Sequence, residues 1–172
     1  MKSNNTAAGA PVRFLDKGAT FHSFTDSVDV VCPACGRMGI LSRSDDGDQR
    51  FTFRCGSCSK VGTSRSDSEA DFSGFSNADP PRWQGHELFR VILCRGHSLW
   101  ALNLRHCAYL SAYIAADHRE RVMARPLPLG RLEKTRRVNN GFCSVSRLPR
   151  WMVLKSARED VIRGLKKLSG MP

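Results

Sequence analysis

Four cysteines define the chemistry open to this sequence. Cys32-Pro33-Ala34-Cys35 and Cys55-Gly56-Ser57-Cys58 are two CxxC units with 19 residues between them, the interval used by two-knuckle zinc sites. Two thiolates separated by two residues can reach one ion from a tight turn, and a hairpin between the units would bring both turns together. The expected result is a closed tetrahedral site holding one structural Zn2+, with no position left for water. Gly36 and Gly56 are read as the residues that let each turn fold back. Two disulfides, a redox dithiol and a rubredoxin-like iron would use the same residues. The first is disfavoured because no apolar secretion signal opens the chain. The second expects one CxxC beside a βαβ pattern.

Other reactive side chains are scattered. Cys94, His97, His106 and Cys107 could form a second metal site, but His106 and Cys107 lie about 100° apart around a helix. His118 is read as a core histidine, with a catalytic base as the sharper alternative. Arg158 is either a snorkelling edge residue or an arginine reaching across an interface. Trp100 and Trp151 are read as core anchors and Trp83 as the tryptophan best placed for exposure. Tyr109 and Tyr113 suit either a single-strand platform or an interface between lobes. There is no HExxH, GxSxG or Walker-type loop, so no enzyme and no small-molecule substrate is expected.

The elements that position these residues give an α+β reading: a four-cysteine hairpin module followed by a lobe of one β-hairpin and two α-helices. Residues 1–20 read as a disordered N-terminus, 21–63 as the cysteine module and 64–83 as an acidic linker. Residues 84–172 read as a basic lobe. Within it, a hairpin spans 88–102, a helix capped by Asn103 spans 104–123, a basic loop spans 126–145 and a second helix spans 149–168. Leu104, Cys107, Ser111, Ile114, Ala115, His118 and Val122 are expected to share the inner side of the first helix. Trp151, Leu154, Val161, Leu165 and Leu168 form the stripe of the second.

Charge is distributed unevenly. The chain carries 27 Lys and Arg against 16 Asp and Glu, a net of +11. Residues 81–172 hold 18 basic and six acidic side chains, a net of +12, whereas residues 31–80 are at −1. A surplus this large in one half points to a polyanion. The expected contacts are Arg131, Lys134, Arg136, Arg137, Lys155, Arg163, Lys166 and Lys167. No stretch is long and apolar enough for a membrane span.

Residues 27–62 resemble the zinc ribbon, a knuckle–hairpin–knuckle module found in transcription factors, polymerase subunits, primases and ribosomal proteins. The resemblance implies a fold; ribbons serve nucleic-acid binding and protein docking alike. Leu99-Trp100-Ala101 with Asn103, His106, Leu110, Tyr113 and Arg119, followed by Leu148-Pro149-Arg150-Trp151-Met152 with Ala157, Arg158 and Val161, resembles small bacterial zinc-ribbon proteins of unassigned function. That implies a bacterial, cytoplasmic protein. The expectation is a non-catalytic accessory factor that binds DNA or RNA through its C-terminal half. The alternative is an adaptor that docks an acidic protein on the ribbon or on the first helix.

Overall fold

The structure is a computed structural model that describes residues 11–17, 19–43, 50–65, 72–73, 80–121 and 148–171. It is α+β, with strands at the cysteine knuckles and helices later in the chain. β2 (Ser27–Val31), β3 (Met38–Arg43), β4 (Arg50–Cys55) and β5 (Val61–Arg65) form an antiparallel sheet in sequence order. β6 (Phe72–Ser73), β7 (Arg82–Trp83) and β8 (His86–Glu87) form a small three-stranded sheet. β9 (Arg90–Cys94) and β10 (His97–Ala101) form a hairpin. Its turn residues Arg95 and Gly96 both have positive φ, the conformation that matches strand twist in two-residue hairpins.

α1 (Leu104–Ala115) begins where the sequence places it: Asn103 Oδ1 accepts the His106 backbone N–H at 2.9 Å. Its end differs. The expected helix to residue 123 stops at Ala115, and β11 (His118–Arg121) pairs in parallel with β1 (Arg13–Asp16). Residues 13–16 are therefore a strand within the segment expected to be disordered; residues 1–10 lie outside the described part of the chain. Arg119 gives the stop a physical basis. Its Nε donates to the Tyr113 carbonyl at 2.8 Å, satisfying a C-terminal acceptor of α1. Phe14 of β1 then packs edge-on to Tyr109 and Tyr113, at ring separations of 5.2 and 5.5 Å.

This strand rotates the expected inner face of α1. The buried residues are His106, Cys107, Leu110, Tyr113 and Ile114, while Leu104 is exposed and His118 lies on β11. The second helix is likewise divided. α2 (Arg150–Val153) ends at Leu154, whose ψ of 135° breaks the helix. A 3-10 turn follows, then α3 (Arg158–Ser169). Leu154 is exposed, whereas Val161, Leu165 and Leu168 are fully buried. A close approach occurs at Gly164 of α3. A methyl at Gly164 would stand 2.6 Å from Leu99 Cδ2, so only glycine lets α3 lie this tightly on the β9–β10 hairpin.

The segment expected to link two lobes carries the end of β5 together with β6 and β7. Trp83, expected to be exposed, is buried against Phe21 and Phe51. One apolar core runs from Val28, Leu41 and Phe53 through Leu99 and Leu110 to Val161 and Leu165. Backbone bonds also join the two halves: Asp29 N–H to the Leu102 carbonyl at 2.7 Å, and Phe89 N–H to the Asp29 carbonyl at 2.9 Å. Asn103 Nδ2 adds bonds to the Phe24 and Ser27 carbonyls.

At the centre of this junction Arg90 is 2% exposed. Its Nε meets Asp29 at 2.5 Å, and its Nη1 donates to the carbonyls of Leu168 and Met171. Removing one partner of such a pair leaves a buried charge and typically costs about 3–5 kcal/mol. Arg90→Met should destabilise by about that much in urea titration. The double variant Arg90→Met/Asp29→Leu should recover part of the loss, because it removes the stranded carboxylate.

Candidate metal centre

Both knuckles are built by the same local device. In the first, Cys32 N–H bonds the Arg37 carbonyl at 2.8 Å and Gly36 N–H bonds the Cys32 carbonyl at 2.9 Å. In the second, Cys55 N–H bonds the Lys60 carbonyl at 2.9 Å. Each turn needs a left-handed residue directly after its second cysteine. Gly36 fills that place at φ 68°, and Ser59 fills the equivalent place at φ 57°. Gly56, read from sequence as the second turn's hinge, does not have positive φ.

The antiparallel β3–β4 ladder pairs Gly39 with Cys55, which places the knuckles side by side. The four sulfurs lie within 4.8 Å of one another and together could hold a metal ion. Cys32 and Cys58 Sγ are 3.7 Å apart, as are those of Cys35 and Cys55. Cys32 and Cys55 are buried; Cys35 and Cys58 are exposed. The Cys58 and Ser57 backbone N–H groups lower Cys55 to about 6. At Cys58 the Lys60 N–H favours the thiolate, but lost hydration and the neighbouring sulfurs outweigh it and push the thiol up to about 12. Four thiolates this close cannot all stay ionised without a cation among them. The donor set therefore fits a metal, and the arrangement is consistent with a zinc ribbon.

Among the described residues no second cluster of potential ligands forms. Cys94 is buried beside Gly164. His97 stacks on Trp151 at 4.8 Å. His106 Nδ1 accepts the Leu102 N–H at 3.2 Å and its ring stacks on Phe24 at 4.8 Å. Cys107 is fully buried on the inner face of α1. All four side chains are thus committed to packing.

Of the expected nucleic-acid contacts, Lys155, Arg163, Lys166 and Lys167 are exposed on or beside α3. Arg131, Lys134, Arg136 and Arg137 lie outside the described residues. Arg163 is paired with Asp160 at 3.1 Å, and Arg95 meets the same carboxylate at 3.0 Å. These side chains, with Lys167 and Gly164, line a hollow of about 180 Å3. Arg158 reaches across an interface, to Asp117 at 2.8 Å and the Ala116 carbonyl at 3.3 Å. That bond, with the Val12 N–H, holds Asp117 below the usual carboxylate range. Tyr113 is buried, and Tyr109 donates to Asp16 at 3.1 Å. Burial and the Asp16 carboxylate raise Tyr109 to about 12. The aromatic face of the first helix, expected as a platform or a docking site, is covered by β1. The structural arginine that the sequence does not single out is Arg90; its one signal is a charge within an otherwise apolar strand.

No family model, curated protein or solved structure matches the chain. No helix among the described residues is long and apolar enough to cross a membrane.

Two outcomes follow from this geometry. Gly36→Ala should lower the denaturant midpoint of the metal-loaded protein, and Ser59→Gly should raise it, each by roughly 1 kcal/mol of left-handed strain. His106 is held down to about 4 by burial, against about 6.5 when unfolded. The unfolded chain therefore binds a proton that the folded chain refuses. Stability contributed by the neutral ring is intact above pH 6.5 and falls progressively towards pH 4, by about 3 kcal/mol. His106→Gln should flatten that part of the pH–stability curve relative to wild type.

Proposed function

We propose that this chain is a non-catalytic nucleic-acid-binding protein, organised by one structural zinc ion and contacting phosphate through its C-terminal half. The observation that carries the reading is the +12 surplus of residues 81–172, together with where the fold leaves its cations. Arg82, Arg90, Arg95, Arg105, Arg119, Arg158 and Arg163 are engaged by carboxylates or carbonyls. Arg150, Lys155, Lys166 and Lys167 are exposed and make no side-chain bond among the described residues. Residues 122–147 add six basic side chains against one acidic. Lysines and arginines left over in this way suit phosphate.

Zinc is supported by the sulfur spacing. A tetrahedron with Zn–S near 2.3 Å has sulfurs about 3.8 Å apart, and two pairs here stand at 3.7 Å. Four protein ligands leave no open position for a reacting water, which favours a structural ion. The six described cysteines are free thiols, a state suited to a reducing cytoplasm.

The purified chain should carry one zinc per molecule by native mass spectrometry. In fluorescence-anisotropy titrations it should bind nucleic acid with log affinity falling against log salt at a slope near −4.5 on duplex DNA, if about five phosphates are neutralised. Lys155→Gln/Lys166→Gln/Lys167→Gln should reduce that slope by about 2.7. A flat salt response, or no binding at low salt, overturns the reading.

A further inference from the structure

On β3–β5 the four-stranded sheet has a face that the core does not use. Along β4, Phe51, Phe53 and Cys55 are buried, so Arg50, Thr52 and Arg54 point the other way. The register extends this outer face across the sheet. Ile40 and Val61 flank Arg54, and Ser42 and Thr63 flank Thr52. Ile40 and Val61 remain 42% and 62% exposed. Arg37 and Lys60 stand exposed at the knuckle ends of the same strands.

The described strands and knuckles are more basic than the whole stretch of sequence around them. Residues 27–43 and 50–65 hold six basic side chains and one acidic one. That acid, Asp29, is consumed by Arg90. Asp45, Asp46 and Asp48 lie outside the described residues. Over its described residues the sheet is therefore net basic.

We infer that the outer face of β3–β5 contacts the phosphate backbone of a nucleic-acid duplex. The inference rests on the proposed function and adds a second surface to it. Three features select this partner. The cations are mainly arginines, whose planar fork suits phosphate. Their neighbours Ser42, Thr52 and Thr63 are hydroxyl donors of the kind that position a backbone. Among the described residues the face carries no aromatic ring, which favours neither the stacking platform of a single-strand binder nor the anchors of a protein hot spot. It also adjoins the C-terminal cations. Arg90 holds the Leu168 and Met171 carbonyls and touches Met38 Sδ on β3. The last turn of α3, with Lys166 and Lys167, therefore abuts the edge of this face.

The test uses the full zinc-loaded chain, a 20-base-pair duplex, a single strand of equal length and a polyglutamate peptide. Arg50→Gln/Arg54→Gln should weaken duplex binding about tenfold at moderate salt and lower the log–log salt slope by about 1.8. Arg54→Lys, which keeps the charge, should retain the slope. Unchanged zinc content and thermal midpoint show that the variants fold. If the sheet pair binds duplex like wild type while the Lys155/Lys166/Lys167 variant weakens, the inference falls and the C-terminal reading stands. If the sheet pair weakens and the C-terminal variant does not, the inference stands and that reading falls. Loss confined to the single strand, or to polyglutamate, assigns the face to a different partner and overturns the inference. No duplex binding by the wild-type chain overturns the inference, and no binding of either duplex or single strand overturns both.

Discussion

The architecture turns on one buried guanidinium. Arg90 neutralises Asp29 on β2, holds two carbonyls at the C-terminus of α3 and touches Met38 on β3. Burying a charge is expensive unless it is paired and its remaining donors are met, and here each donor direction leads to a different element. The knuckle sheet, the β9–β10 hairpin and the last helix are therefore parts of one unit. Asn103 repeats the logic on a smaller scale, capping α1 with its oxygen while its amide nitrogen satisfies carbonyls just before and at the start of β2. Two segments that read as separate lobes share a core because their polar groups complete one another.

Legibility in the sequence followed locality. The cysteine spacing, the Asn103 cap and the Arg95–Gly96 turn each depend on a few adjacent residues, and each is visible without tertiary information. The end of α1 is not. Nothing between Ala115 and Val122 breaks a helix, and the stop arises because residues 118–121 pair with a strand about a hundred positions earlier in the chain. The same remote strand buries Tyr113 and turns the inner face of α1 away from Leu104. Trp83 was misplaced for a related reason. Its neighbours Pro80, Pro81 and Arg82 read as linker, while the rings that bury it come from residues 21 and 51. At the candidate site, sequence supplied the ligands. It could not show that Ser59 takes the role that Gly36 plays in the first knuckle.

Charge counting needed the fold most of all. Arg90, Arg119 and Arg158 each bind carbonyls at or just after a helix C-terminus, where cations are favoured by both the dipole and the unpaired acceptors. An arginine used in this way contributes to net charge but little to any outward field. On the knuckle sheet, by contrast, residues 27–43 and 50–65 carry six basic side chains against one acidic one, within a stretch that is almost neutral as a whole. Composition therefore identified the surplus and only partly located it.

The Arg90 junction also imposes an order on biosynthesis. Its bond to the Leu168 carbonyl spans 78 residues, which a ribosome adding about 5–20 residues per second needs roughly 4–16 s to deliver. During that interval Asp29 and Arg90 have been made but the carbonyls that complete their shell have not. All four thiols of the knuckle pair are present by Cys58, well before Arg90 itself emerges. A metal captured at that stage would hold the sheet in register on the nascent chain, acting as a clamp until the final helix arrives to close the structure.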